Sequence, residues 1–71
     1  MDQRLLTYLG SRVRDIRLEK HMTQQDLSNR TGIAPYYISR IENGKLNIRV
    51  DMLFKLAKGL DVDVTEIVKD W

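Results

Sequence analysis

The chain has 71 residues, with 12 Lys/Arg against 10 Asp/Glu, no cysteine, one histidine, one proline and four glycines. That length accommodates one domain, taken as residues 1–71, and excludes a second; the lack of cysteine excludes disulfides and thiolate metal sites. No apolar run nears the roughly 18 residues of a membrane span, and Met1-Asp2-Gln3-Arg4 does not lead into an apolar signal region. The chain therefore reads as soluble and intracellular, with no membrane partner.

The apolar spacing is helical rather than alternating. Leu5, Leu9, Val13 and Ile16 recur at intervals of three and four, one inward stripe on an opening helix. Asp2 suits its N-cap, and Arg17 and Lys20 suit its C-terminal end. His21 then stands where a helix ends on a left-handed residue. Thr23 and Asp26 have capping-box spacing, which starts a second helix over 24–31 with Leu27 as its inward anchor. Gly32 permits the positive φ of a sharp turn. Pro35 opens a third helix running to about Asn43, with Ile38 and Ile41 inward and Gly44 ending it. Residues 45–49 read as a loop. A fourth helix over 50–59 is expected to bury Val50, Leu53, Leu56 and Ala57. Asp63 and Glu66 have the spacing of a capping pair for a fifth, carrying Val64, Ile67 and Val68. The fold class is all-α, five short helices and no strand.

Charge is uneven along this order. Residues 1–50 carry nine Lys/Arg against five Asp/Glu, and residues 51–71 carry three against five. A basic front and an acidic rear suit one face turned toward a polyanion. Two short helices joined by a tight glycine turn, the second opening on proline, have the geometry that admits a helix to a major groove.

The residues at that turn carry a resemblance. Arg17-Leu18-Glu19-Lys20-His21-Met22-Thr23-Gln24-Gln25-Asp26-Leu27-Ser28, then Thr31-Gly32-Ile33, Ile38-Ser39-Arg40-Ile41-Glu42-Asn43-Gly44-Lys45 and Leu53-Phe54-Lys55-Leu56-Ala57-Lys58, form an ordered set. Together they resemble the lambda-repressor-like helix-turn-helix regulators (Cro/repressor, Xre class) over about residues 9–68. Phage repressors, antitoxin components and restriction–modification controllers are stand-alone members of this size, and the sequence does not choose among them.

The resemblance implies a fold, a partner and a set of roles. The third helix becomes the recognition helix, with positions 35, 36, 39, 40 and 43 on the face opposite Ile38 and Ile41. Pro35, Tyr36, Ser39 and Arg40 are the candidate base readers, Arg40 through a bidentate contact to guanine. Gln24 and Asn43 take phosphate-positioning roles, and Tyr37 packs beside the turn with its hydroxyl toward a phosphate. Lys45, Asn47 and Arg49 follow in the loop that tracks the DNA backbone. Arg17 and Glu42 stand where the family ties the first helix to the end of the third by an ion pair. There are departures from the pattern: His21 and Asp61 replace usual glycines, and Ala34 and Arg49 replace usual Ser/Thr caps, so that the fourth helix is expected to start at Asp51 or to use Asn47.

The partner implied is a double-stranded DNA operator, in a bacterial or phage-encoded cytoplasmic setting, read by a homodimer. Residues 62–71 have more apolar surface than one small core uses. Phe54, Ile67, Val68 and Trp71 are the expected dimer interface. A second class of function is a protein-interaction module, an antitoxin-type partner with DNA binding secondary. An enzyme is not expected, because a single histidine at a helix end is a poor general base and the carboxylates are scattered at caps. No cofactor and no metal site are expected.

Overall fold

The computed structural model describes residues 2–71. Five helices follow in order, α1 (Gln3–Glu19), α2 (Gln24–Thr31), α3 (Pro35–Glu42), α4 (Val50–Gly59) and α5 (Val64–Val68), with no strand among the described residues. Among the described residues no helix is long and apolar enough to cross a membrane.

The local sequence accounts for most of the helix ends. Asp2 caps α1 by accepting from the Arg4 N–H at 2.7 Å. At α2 the Thr23 hydroxyl accepts from Asp26 N–H at 3.0 Å, while Asp26 accepts from Thr23 N–H at 2.8 Å, a complete capping box. Hydrogen bonding from Thr23, first from its backbone N–H and then from its side chain, holds the Asp26 carboxyl below its ordinary pKa. Three helices stop in the same way. His21 N–H donates to Leu18 O and Met22 N–H to Arg17 O; Gly44 and Lys45 repeat the pair onto Ile41 and Arg40, and Asp61 and Val62 onto Lys58 and Ala57. This is the Schellman arrangement, with His21 (φ 57°), Gly44 (φ 68°) and Asp61 (φ 57°) in the left-handed position. Histidine and aspartate therefore do here what glycine does at position 44.

The core gathers Leu6, Leu9, Val13 and Ile16 of α1, Leu27 of α2, Ile38 and Ile41 of α3, Leu56 and Ala57 of α4 and Ile67 of α5. Met22, Ile33, Ile48 and Leu60 join it from the connections. Five expectations change. Leu53 is half-buried, packed against the core rather than inside it. Leu5 is only half-buried and Leu6 takes its place in the core; the inward stripe of α1 is wide enough to pass over a one-residue shift. Val50 is 70% exposed, because the chain enters α4 with Ile48 already buried and Val50 turned outward. Helix α4 keeps its expected span, Val50–Gly59, but its N-cap is Arg49, which makes no side-chain bond, and neither a start at Asp51 nor a cap by Asn47 replaces it. Asp63 caps α5 through Thr65, accepting from its N–H and its hydroxyl at 2.9 Å each, so Glu66 has no cap to close.

Helices α1 and α3 lie against one another at Gly10. A Cβ on Gly10 would fall on the Ile41 carbonyl oxygen and lie 3.0 Å from that of Glu42. Backbone cannot yield as a side chain does. Gly10→Ala would gain about 0.5–1 kcal/mol of helix propensity and lose about 1–3 kcal/mol or more to overpacking. A net drop in the urea midpoint is expected; an unchanged or raised midpoint would mean that the two helices are free to separate.

Candidate nucleic-acid interface

Helix α3 is positioned by a short chain of local causes. Gly32, at φ 75°, ends α2 with its N–H on Ser28 O at 2.8 Å. The Thr31 hydroxyl accepts from Ile33 N–H at 3.1 Å and donates to Leu27 O at 2.8 Å, which fixes the exit from the turn. Pro35 occupies the first position of α3, and Ala34 supplies no side-chain cap. Ile38 and Ile41 are fully buried. Helical spacing then turns Tyr36, Ser39, Arg40 and Asn43 the other way.

Below this surface lies the buried ion pair. Arg17 Nε donates to Glu42 Oε2 at 2.7 Å and Nη2 to Oε1 at 3.0 Å, and Nη1 reaches Met22 O at 2.8 Å. The two side chains are 9% and 2% exposed. The hydrogen bonds it donates to the Glu42 carboxylate hold the Arg17 guanidinium above its ordinary pKa.

The outer face divides into two groups. In the first, the Tyr36 and Tyr37 rings meet edge to face with centroids 5.4 Å apart, and the Arg40 guanidinium carbon lies 5.8 Å from the Tyr36 centroid. Arg40 Nη2 also donates to Lys45 O at 2.9 Å. Tyr36 and Tyr37 are 65% and 48% exposed, a large aromatic surface to leave in water. In the second group, Gln24 Nε2 donates to Glu42 Oε1 at 3.2 Å and Asn43 Nδ2 to Ser39 O at 2.8 Å. Gln24 and Asn43 share a polar cleft of about 270 Å³ with Arg14, Arg17 and Glu42. Pro35 is half-buried beside the turn. Lys45, Asn47 and Arg49 are exposed on the segment after α3, and Arg49 pairs with Asp51 at 3.2 Å.

Sequence reasoning passed over two contributors. Arg14 lies one turn before Arg17 on α1, and that spacing is the one signal for it. Gln3 donates to Gly44 O at 2.8 Å, so the first turn of α1 steadies the end of α3. At the rear, Ile67 is fully buried. It closes the core and offers no surface to a second copy, which removes it from the expected interface. Phe54, Val68 and Trp71 are exposed, and Trp71 rests on Tyr8 with ring centroids 5.5 Å apart.

A helix-turn-helix family matches residues 13–67. The chain belongs to that family. An uncharacterised helix-turn-helix-type transcriptional regulator of Sinorhizobium fredii is 38% identical over 68 residues, covering 96% of this chain and 86% of its own length. The restriction–modification controller protein C.AhdI of Aeromonas hydrophila superposes with a TM-score of 0.85 at 31% identity, over 87% of this chain and 94% of that one. The controller C.Esp1396I superposes with a TM-score of 0.80 at 36% identity, over 92% and 96% of the two chains. It was solved as a tetramer in complex with its natural 35 base-pair operator. In some other curated relatives the matched segment is a small part of a longer chain, 12 or 13% of it.

The buried pair gives a direct test of how the recognition helix is held. Glu42→Ala strands the Arg17 charge and should lower stability by about 3–5 kcal/mol, read in urea unfolding. Adding Arg17→Met to Glu42→Leu should recover much of that loss. If Glu42→Ala were as stable as the parent, the pair would not be what ties α1 to α3.

Proposed function

We propose that this helix-turn-helix chain is a sequence-specific double-stranded-DNA-binding transcriptional regulator, a cytoplasmic, non-enzymatic repressor that works as a homodimer. The observation that carries it is the two-sided third helix. Ile38 and Ile41 are sealed in the core, while Tyr36, Ser39 and Arg40 face outward on a helix held at both ends. Arg40 is the reader of guanine O6 and N7. Tyr36 and Pro35 supply apolar contact for a thymine methyl, and Ser39 a hydroxyl. Gln24, Tyr37, Asn43, Lys45, Asn47 and Arg49 contact phosphates and set the register without reading sequence. The operator-bound relative favours this reading over an antitoxin-type docking module.

Selection from a random duplex library tests it. The parent should enrich a roughly palindromic motif and bind less tightly as salt rises. Arg40→Ala should lose preference among sequences while keeping salt-dependent binding to any duplex. Retention of full specificity by Arg40→Ala would place the reading face elsewhere.

One recognition helix covers few base pairs, and a twofold dimer would set two of them about 34 Å apart along the groove. Val50 and Phe54 are one turn apart on α4, 70% and 56% exposed. Phe54 borders a groove of about 560 Å³ lined also by Val62 and Val64. With Val68 and Trp71 these are the apolar surface for a second copy. Sedimentation equilibrium should show a dimer for the parent and a monomer for Phe54→Asp. A dimer that survives Phe54→Asp would rule out the α4–α5 face.

A further inference from the structure

The cleft where α1, the first residue of α2 and the end of α3 meet has a surplus of hydrogen-bond donors. Its one carboxylate is spent: Glu42 Oε1 accepts from Arg17 and Gln24, and Oε2 from Arg17. The donors are not. Gln24 and Asn43 each commit one amide hydrogen, to Glu42 and to the Ser39 carbonyl, and keep the second. The Arg14 guanidinium has five N–H groups, and among the described residues none of the hydrogen bonds or ion pairs involves it. The charges of Arg17 and Glu42 cancel, so Arg14 leaves the cleft with a net positive charge. A pocket of about 270 Å³ that is rich in donors, short of acceptors and positive is built for a compact oxyanion.

We infer that Arg14 is a phosphate-contacting residue, and that this three-helix cleft seats one backbone phosphate of duplex DNA between Arg14, Gln24 and Asn43. The inference rests on the DNA-binding reading above and adds to it a residue outside the helix-turn-helix. Gln24 and Asn43 fix the position of the phosphate through neutral amides, and Arg14 supplies the charge that the position needs. The contact is blind to sequence, because a phosphate is the same beneath every base pair. Arg14 also extends the footprint from the turn onto α1, so each protomer grips the DNA backbone from three helices.

The test uses the full chain, the duplex recovered by selection and an unrelated duplex of the same length. Arg14→Gln and Arg14→Lys are compared with the parent across a salt series. Arg14 is exposed, so both variants should melt like the parent. Arg14→Gln should weaken binding to both duplexes by a similar factor and leave the selected motif unchanged. It should also lower the slope of log K against log salt by about one for each bound protomer, whereas Arg14→Lys should keep the slope. A neutral methylphosphonate walked along the operator should find one position per half-site that weakens the parent and leaves Arg14→Gln unaffected. A parent-like slope and methylphosphonate pattern for Arg14→Gln would overturn the inference while leaving the DNA-binding reading standing. A parent that binds no duplex in a salt-dependent way would overturn both.

Discussion

Arg17 donates two hydrogen bonds to Glu42 in a buried pair, and the placement of the recognition helix is referred to them. Glu42 is the last residue of α3, Arg17 lies in the last turn of α1, and Gln24 reaches the same carboxylate from the start of α2. Three helices are thus registered against one charge. A pair like this is no source of large net stability, since desolvation offsets most of the Coulomb gain. Its value is selective: an alternative packing that separates the partners strands a charge in the core. Ile38 and Ile41 could be satisfied by several rotations of α3 against a greasy surface. The guanidinium fork, which accepts a carboxylate in one plane, cannot.

The same geometry explains why the polar surface works where it does. Because Arg17 neutralises Glu42, the cleft above it is not acidic. Its amides and Arg14 can then face a polyanion without repulsion from the carboxylate beneath. The buried pair is structural, and the donors arranged over it are free for an external acceptor. One arrangement holds the fold and also sets the electrostatics of the face that the fold presents.

Much of this was legible in the sequence because local chemistry and tertiary packing agree. The capping box at Thr23 and Asp26, the turn at Gly32, the proline start of α3 and the left-handed positions at His21 and Asp61 all stand where spacing puts them. Disagreements arise where a position satisfies two rules. Leu5 and Leu6 both suit the stripe of α1, and which of them is buried depends on where α3 and its following turn come to rest. Val50 is apolar and helical, yet it sits before the first inward turn of α4, and Ile48 in the preceding loop takes the core site. Ile67 and Phe54 are both large apolar residues near the rear, and only packing separates the core residue from the exposed one. Arg14 escapes sequence reasoning for a different reason. Its role depends on two helices that arrive from residues 24 and 43, and nothing in its own neighbourhood announces them.

The end of α3 shows how far one motif can serve both stability and recognition. Gly44 takes the left-handed position, so Lys45 N–H reaches Arg40 O at 2.8 Å and two carbonyls at the helix end are satisfied. The same turn swings the Lys45 carbonyl to within 2.9 Å of Arg40 Nη2. Residues 40 and 45 are therefore joined twice, once by the backbone and once by the guanidinium. With the Tyr36 ring beneath it, Arg40 is restrained before any DNA arrives. Ordering a long free side chain on binding costs about 0.5–1.5 kcal/mol, and part of that ordering is already done during folding. A guanidinium held from one side by a ring and along one edge by a carbonyl still has an edge to offer, and its direction is set by the helix. That restraint is what turns a half-buried arginine on the outer face into a candidate reader: a freely rotating one would meet phosphates and bases alike, whereas this one is aimed outward from the face opposite the core.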